Sequence, residues 1–246
     1  MSFLGDYDPA DWLKHRYKLK GWRAEAVDWV VGFAEAAVFY FIILPLVLGT
    51  YPPAVVVQTC SMTGTYNVGD VAVLQGTSFD SLKAPAITTS SLNYTIYPNN
   101  ISEQTQKLIF FDGQELPVQT TGDVVLHVSP ISGEQIIHRA IAKVTTPSGR
   151  YLLTKGDSNP IPDSARIDCA EFVEQGEGYL CTKVSESVSR VCTEADRGWP
   201  GCLSAPVPEK DIIGKAIFTI PLVGHVKMLF MHLVTLGHGY PGPLWC

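Results

Sequence analysis

Three short stretches, far apart in the sequence, carry side chains that can act as a nucleophile, a base and an acid. Ser61 follows a run of valines and precedes a Gly-Asp turn, so its hydroxyl lies in a loop that leaves a strand. His138 lies between two apolar runs, and Asp157 and Asp163 lie in a segment rich in turn formers. An imidazole becomes a general base when a nucleophile lies near it. Each residue alone is typical of an ordinary turn or strand.

The elements that must position these residues are short strands. Between residues 51 and 220, β-branched and aliphatic runs are bounded by glycine, proline, asparagine and serine, as in strands joined by turns. The runs lie at 55–57, 71–74, 124–128, 135–137, 140–144 and 151–153. The sequence therefore predicts a mainly β, antiparallel domain over residues 51–220. Two segments break the pattern, at 75–118 and 164–209, and we expect both to be insertions on the strand scaffold.

An apolar segment of 27 residues, 24–50, precedes the predicted strands. As a helix it would extend roughly 40 Å, more than the roughly 30 Å hydrocarbon core of a bilayer. Its last 15 residues carry no formal charge. We therefore expect residues 24–50 to form a transmembrane helix that anchors the chain in membrane lipid.

Basic residues cluster in segment 1–23, ahead of this helix: Lys14, Arg16, Lys18, Lys20 and Arg23. The positive-inside rule places such a segment in the cytoplasm. The apolar run is too long for a cleavable signal peptide, and Pro52-Pro53 stands where a small-residue cleavage site would be expected. We therefore expect a retained anchor, with the β-domain outside the cytoplasm or in the lumen of the endoplasmic reticulum.

Composition excludes two classes of protein. A hydrophobic content of 46% with 17% charged residues excludes a disordered chain. The formal net charge of −6 and the isoelectric point near 5.5 lack the broad basic footprint of a nucleic-acid-binding protein. We expect no nucleic-acid partner.

Four cysteines fall within 34 residues: Cys169, Cys181, Cys192 and Cys202. They form none of the CxxC pairs that zinc ribbons use, so we expect disulfides rather than a metal site. Three connectivities are open. We expect these bonds to cross-link an excursion at the domain surface that touches none of the candidate nucleophile, base and acid, with Cys60 and Cys246 left unpaired.

The C-terminal segment, 221–246, contains an apolar stretch at 222–236. Its 15 residues give roughly 22 Å of helix, which is short for a bilayer crossing. Two readings stay open, an interfacial or re-entrant membrane element and a buried core helix. His225 and His232 share a helix face, but we assign them no metal.

The motifs resemble the archaeal and endoplasmic-reticulum type of signal peptidase I, a family of membrane-anchored serine proteases. The family has Ser-Met followed by Gly-Asp, then His-Arg, then Lys-Gly-Asp-x-Asn and a further aspartate. The matching positions are Ser61-Met62, Gly69-Asp70, His138-Arg139, Lys155-Gly156-Asp157-Ser158-Asn159 and Asp163. Segments 214–216 and 220–224 also resemble the closing strand of the family. The resemblance leaves both insertions unexplained, and Gly64 stands where the family usually has proline.

The resemblance implies a signal-peptidase-like β fold and a Ser-His-Asp serine endopeptidase that needs no metal or cofactor. Ser61 would be the nucleophile and His138 the base, at the position where the bacterial type has lysine. Asp157 is the preferred candidate to orient His138. Asp163 is the alternative acid, or a structural partner that holds the loop. The Ser61 backbone N–H and the Thr59 hydroxyl are the candidate donors to an oxyanion.

Other nucleophiles and bases are weaker candidates. An imidazole has an ordinary pKa of about 6.5, whereas a lysine at about 10.4 is protonated near neutral pH unless it is strongly perturbed. Lys143 and Lys155 are therefore less suited than His138 to accept a proton. Cys60 has no motif of its own, and the family pattern places the reactive hydroxyl at Ser61.

The resemblance also implies the substrates and partners. These would be precursor proteins that carry signal peptides with small residues at the cleavage site, and subunits of export machinery or of a signal peptidase complex. Two other interpretations remain open. One is a non-catalytic, membrane-anchored β-domain subunit, and the other is an envelope protein, which the cysteines favour.

Overall fold

A computed structural model describes residues 8–97, 106–159, 161–166, 169–175, 178–184, 190–196 and 202–234. The chain divides into two units, Met1–Gly49 and Thr50–Cys246. The first unit is helical, and the second is built mainly from antiparallel β-sheets. This architecture confirms the predicted mainly β domain that follows an apolar helix.

The N-terminal unit begins with helix α1 (Pro9–Tyr17), whose first turn is capped by the Asp8 carboxylate, which accepts from Ala10 N at 2.8 Å. Helix α2 (Trp22–Val38) continues through a π-helical turn (Phe39–Ile43) into α3 (Leu44–Leu48). Gly49 ends it with φ +66°, a conformation that glycine adopts without strain. Within the described ranges, Trp22–Leu48 is the one helix long and apolar enough to cross a membrane, with a mean hydropathy of 2.2.

The strands of the second unit are, in chain order, β1 (Ala54–Val56), β2 (Val71–Gln75), β3 (Ala86–Thr88), β4 (Tyr94–Tyr97), β5 (Lys107–Phe110), β6 (Glu115–Pro117), β7 (Val124–Val128), β8 (Gln135–Thr146), β9 (Gly149–Lys155), β10 (Ala165–Arg166), β11 (Cys169–Gln175), β12 (Gly178–Val184), β13 (Arg190–Val191), β14 (Val207–Pro208) and β15 (Ile212–Ile220). The main sheet has the order β1-β2-β15-β7-β8-β9-β14, and β3 pairs in parallel with β8. The last long strand, β15, therefore lies in the middle of the sheet, between β2 and β7.

Three small sheets accompany the main one: β4-β5-β6, β10-β13 and β11-β12. The first belongs to segment 75–118, which we expected to be an insertion. Its side chains are nonetheless central to the core, because Leu108 and Phe110 are almost fully buried and pack in one cluster with Ile141 and Leu153 of β8 and β9. Part of the segment therefore packs against the main sheet and belongs to the hydrophobic core.

The cysteine-bearing segment 164–209 differs from the expectation in its position. Cys192 and Cys202 form a disulfide, and both are buried rather than at the surface. The main chain beside them hydrogen-bonds to the neighbourhood of Asp163: Cys192 N donates to Ser164 O at 2.8 Å, and Ser204 N donates to Asp163 O at 3.0 Å. The prediction that this excursion does not touch the candidate site is therefore wrong.

The remaining cysteines are only partly described. The side chains of Cys169 and Cys181, and residue Cys246, lie outside the part of the chain that the structure describes, so the connectivity left open above is settled only for one bond. Cys60 is disulfide-bonded, which corrects the expectation that it is unpaired. A sulfur held in a disulfide is not a thiolate nucleophile, so Cys60 does not compete with Ser61 in this form.

The C-terminal apolar stretch forms a short helix, α4 (Gly224–Val234). The 11 residues that the structure describes extend about 16 Å as a helix. Met228 is buried while Val226 and Leu229 are exposed, so the helix packs one face on protein. It joins the domain where Gly224 N donates to Gly69 O at 2.8 Å.

The position of β5 in the core generates a stability prediction. Leu108→Ala should lower the free energy of unfolding by about 2–5 kcal/mol, the usual range for a leucine truncated in a packed core. Phe111→Ala is the matched control: Phe111 is 77% exposed, so its truncation should change stability by less than about 0.5 kcal/mol. Urea unfolding followed by far-ultraviolet circular dichroism measures both. Equal effects would show that segment 75–118 is peripheral.

Candidate active site

Ser61 is presented by a tight turn that follows β1. Residues Cys60–Met62 form a 3₁₀ turn, and the Met62 side chain is fully buried in a cluster with Val57 and Tyr66. The hydroxyl of Thr63 closes the turn by donating to Cys60 O at 2.7 Å. Because the residue after Ser61 is anchored in the core, the half-buried serine is held in place at the start of the turn.

His138 lies on β8, where it pairs across the sheet with Val125 of β7. Its Nε2 lies 2.8 Å from Ser61 Oγ, and its Nδ1 lies 2.6 Å from Asp163 Oδ2. A carboxylate only accepts hydrogen bonds, so Nδ1 carries the proton and Nε2 is the free acceptor facing the serine hydroxyl. Residues 77 and 25 positions apart in sequence thus form one continuous Ser-His-Asp chain of hydrogen bonds.

The preference for Asp157 as the residue that orients His138 is wrong in this structure. Asp157 accepts two hydrogen bonds from Arg139, at 2.7 Å from Nε to Oδ1 and at 2.7 Å from Nη2 to Oδ2. The reason is the alternation of a strand, since neighbouring residues point to opposite faces. His138 and Arg139 therefore bind different aspartates, and the planar guanidinium takes the one that it can contact with two parallel bonds.

The Asp157 loop instead braces the serine loop. The hydroxyl of Thr65 donates to Asp157 Oδ2, and Ser158 N donates to Ser61 O at 2.9 Å. The two loops approach so closely at Gly156 that a Cβ there would lie 2.7 Å from Ser61 O. Glycine at position 156 and the ion pair of Asp157 with Arg139 together hold the serine loop next to β8 and β9.

Burial opposes ionisation of Asp163, which is 2% exposed, but its contacts outweigh burial. The hydrogen bond and charge of His138, followed by the hydroxyl of Thr154, hold the pKa of Asp163 below its ordinary value. Thr154 Oγ1 donates to Asp163 Oδ2 at 2.8 Å, and Asp163 N donates to Thr154 O at 2.9 Å. The carboxylate is thus ionised at neutral pH and able to stabilise an imidazolium.

Asp157 is ionised for a related reason. Burial again opposes its charge, but the hydrogen bonds from Arg139 and Thr65 and the nearby cations keep its pKa below the ordinary range. The same pair raises the pKa of Arg139. Lys155 lies nearby, and desolvation lowers its pKa. Its Nζ donates to Gly156 O at 3.1 Å, and Lys143 Nζ donates to Asp80 O at 3.2 Å, so both lysines bond to backbone carbonyls.

Thr59 lies next to the nucleophile, with its Oγ1 3.1 Å from Ser61 Oγ. The geometric requirement is a donor about 2.7–3.1 Å from the place that the oxyanion will occupy, together with the Ser61 N–H. Thr59 therefore stays a candidate oxyanion donor.

The Gly69-Asp70 motif joins the serine loop to the end of β15. Asp70 is buried and accepts from Asn67 N at 2.9 Å and from Leu222 N at 3.2 Å. Gly69 has φ +86°, and a Cβ on it would overlap the ring of His225. Both residues of the motif are therefore needed to seat α4 beside the serine loop.

Gly64 has φ +98°. Proline is restricted to φ near −65°, so it has no access to this conformation. Proline at position 64 would therefore require a different loop geometry from the one that this chain has.

Two contributors to the site were not singled out from the sequence. Thr154 precedes the Lys-Gly-Asp motif, and His127 interrupts the apolar strand Val124–Val128. A polar side chain at an inward position of an apolar strand is the signal that points to both. Among the residues that the structure describes, His, Cys, Asp and Glu side chains form no group able to hold a metal ion.

No protein-family model and no curated protein matches the chain. Its function is therefore argued from the arrangement of its own residues.

The Asp157–Arg139 pair generates a prediction about stability and pH. Asp157→Asn should lower the free energy of unfolding at pH 7 by about 1.5–3 kcal/mol, the range for hydrogen bonds to charged groups. Because the folded-state pKa of Asp157 lies below the ordinary value of about 3.9, its contribution is complete above that pH. The difference from the unmodified protein should shrink as pH falls below about 4.

Chemical unfolding at pH 7 and pH 3 measures this difference. The matched control is Asp80→Asn, which removes an ion pair with Arg150 from a carboxylate that is 81% exposed and should cost less than about 1 kcal/mol at either pH. A stability loss for Asp157→Asn that is equal at both pH values would contradict the role of its charge.

Proposed function

We propose that this protein is a membrane-anchored serine endopeptidase of the signal peptidase I type, which removes signal peptides from secretory precursors. The observation that carries the proposal is the hydrogen-bonded chain Ser61–His138–Asp163 at 2.8 and 2.6 Å. This arrangement is the one by which Ser-His-Asp hydrolases activate a hydroxyl, and it recurs on unrelated folds. The order of the sequence motifs and the preceding apolar helix support the signal peptidase type.

The proposed reaction is acyl transfer in two steps. Ser61 Oγ attacks the carbonyl carbon of the residue before the cleaved bond, while His138 Nε2 takes the hydroxyl proton. The peptide C–N bond then breaks, and His138 gives that proton to the leaving amine. In the second step His138 takes a proton from water while the water oxygen attacks the acyl carbon. The bond between that carbon and Ser61 Oγ then breaks, and His138 returns the proton to Ser61 Oγ. Asp163 keeps Nδ1 protonated and stabilises the imidazolium that forms in each step.

The tetrahedral intermediates of both steps carry a negative oxygen. The Ser61 N–H and the Thr59 hydroxyl are the donors proposed to bind it. The Asp157–Arg139 pair acts on the same chemistry indirectly, because it braces the loop that carries Ser61. A nucleophile held by two loops and a buried methionine loses little freedom when the substrate binds, and positioning of this kind contributes to rate.

The proposed substrate class follows from the anchor. An apolar helix immediately before the β-domain confines the site to a membrane surface, where signal peptides of precursors are also held. Confinement raises the effective concentration of a tethered partner to about the millimolar range, so weak contacts around the cleavage site suffice. We propose that the N-terminal basic segment lies in the cytoplasm and that the β-domain lies on the opposite side.

The catalytic assignment generates a mutational prediction. Ser61→Ala and His138→Ala should each lower kcat for precursor cleavage by about 10⁴-fold or more, because nucleophile and base act as a unit. His138→Lys should be nearly as inactive, since an ammonium next to the Asp163 carboxylate stays protonated. The assay follows a trimmed precursor on a gel with the full chain in detergent.

Ser132→Ala is the control. Ser132 lies in an exposed turn between β7 and β8, so this variant should cleave precursors at the normal rate. Thermal unfolding must show that all variants are folded. Cleavage by folded Ser61→Ala at the normal rate, or no cleavage of several precursors by the unmodified chain, would contradict the proposal.

The base generates a second prediction, on pH. The Ser61 hydroxyl can be deprotonated only by a neutral imidazole, so kcat/KM should rise with pH through a single ionisation. A profile that is flat down to pH 4, or that rises only above pH 9, would exclude a histidine base. Circular dichroism over the same range separates ionisation from unfolding.

A further inference from the structure

A second histidine lies behind the Ser-His-Asp chain. His127 of β7 is fully buried, and His138 of β8 is its diagonal neighbour, because His138 pairs with Val125. On the next strand, Thr154 of β9 pairs with Ala140, two residues after His138. Because residues two apart on a strand share a face, His127, His138 and Thr154 lie on one face of three adjacent strands.

The contacts on this face form a chain that continues past Asp163. Thr154 Oγ1 donates to Asp163 Oδ2 at 2.8 Å, and it lies 3.3 Å from His127 Nε2. A threonine hydroxyl has a single proton, and the carboxylate can only accept. The proton of Thr154 is therefore committed to Asp163, and the hydrogen bond with His127 requires Nε2–H of the imidazole to donate to Thr154.

This hydrogen bond has a consequence for the base. Asp163 Oδ2 accepts from both His138 Nδ1 and Thr154, so the two donors share one oxygen. A hydroxyl that itself accepts a hydrogen bond is a stronger donor, because neighbouring hydrogen bonds polarise one another in a low dielectric. The hydrogen bond from His127 therefore strengthens the one that Thr154 donates to Asp163 Oδ2. It weakens the competing hydrogen bond from His138 Nδ1 to the same oxygen.

We propose that His127 is a positioning residue for the reaction, which acts through Thr154 on Asp163 and sets how readily His138 gains and loses its proton. The chain of hydrogen bonds then runs through five side chains, Ser61, His138, Asp163, Thr154 and His127. The inferred effect of His127 on rate rests on the proposed peptidase function. The inferred effect of His127 on the titration of His138 does not depend on that function.

The charge state of His127 agrees with this role. Burial lowers the pKa of His127 to about 4, with the charges of Asp163 and His138 acting in opposite directions on it. The imidazole is therefore neutral at neutral pH, as a ring that donates from Nε2 with an unprotonated Nδ1 must be. Lys155 contributes a further charge near Asp163.

A structural role and a positioning role predict different outcomes for His127→Phe. Among the described residues, His127 Nδ1 has no hydrogen-bond partner, so replacing the ring by an apolar one removes a buried unsatisfied atom and should leave thermal stability unchanged or higher. If His127 is a positioning residue, Asp163 should in addition bind His138 more strongly in the His127→Phe variant than in the unmodified protein. The midpoint of His138 titration should then move to higher pH.

The first experiment does not depend on any substrate. The full chain, labelled with ¹⁵N-histidine in detergent micelles, is titrated by nuclear magnetic resonance, and the midpoint of His138 is compared between variants. We expect His127→Phe to raise that midpoint by about half a pH unit. Thr154→Val removes the second donor to Oδ2 outright and should raise it further. His127→Gln, which retains an N–H donor, should lie closer to the unmodified protein.

The second experiment is precursor cleavage. For His127→Phe we expect kcat at neutral pH to fall by up to about threefold, the factor that corresponds to half a pH unit in the midpoint of the base, with KM changed less than about twofold. The rise of kcat/KM should shift to higher pH in step with the titration.

The inference would be overturned if the His138 midpoint were unchanged in folded His127→Phe and Thr154→Val. It would also be overturned if His127→Phe lowered the melting temperature but left kcat and the His138 midpoint unaltered. A shifted midpoint in a chain that cleaves no precursor would uphold the inference and instead remove the proposed function.

Discussion

The carboxylate of Asp163 is kept ionised at a place that water does not reach, and the residues around it are arranged to make this possible. An isolated buried carboxylate would take up a proton, because desolvation disfavours the charged form. The hydrogen bonds from His138 and Thr154 reverse that preference. Ser204 N holds the main chain of the same residue from the cysteine-bearing segment. The tautomer of His138, and hence the acceptor that faces Ser61, follows from this one charge.

The sheet also separates two carboxylates that are only six positions apart in sequence. Asp163 contacts His138, and Asp157 contacts Arg139. His138 and Arg139 are adjacent on β8 and face opposite sides, so each attracts its own aspartate. The guanidinium–carboxylate pair is a strong, planar contact and lies between the serine loop and the end of β9. One pair fixes the tautomer of His138, and the other supports the loop that carries Ser61.

The apolar helix, the β-domain and the residues of the candidate site could be predicted from the sequence, because hydropathy, alternation and motif order are local signals. The choice between Asp157 and Asp163 could not, since it depends on which face of β8 each one reaches after the chain turns. The burial of segment 75–118 was also missed: its polar residues suggest a surface, while the few apolar ones, such as Leu108 and Phe110, enter the core. The roles of Thr154 and His127 could not be predicted, because their contacts exist only when β7, β8 and β9 lie side by side.

The central position of β15 has a consequence for the order of assembly. Ser61 lies between β1 and β2, His138 lies on β8, and the hydrogen-bond ladder between these two halves of the sheet runs through the last long strand. Pairing of segments so distant in sequence is slow to form, because loop closure precedes the gain from the contacts. During synthesis both Ser61 and His138 are made well before residues 212–220. The serine half and the histidine half of the sheet are therefore joined only after β15 has been made, so the juxtaposition of Ser61 and His138 depends on one of the last strands in the described chain.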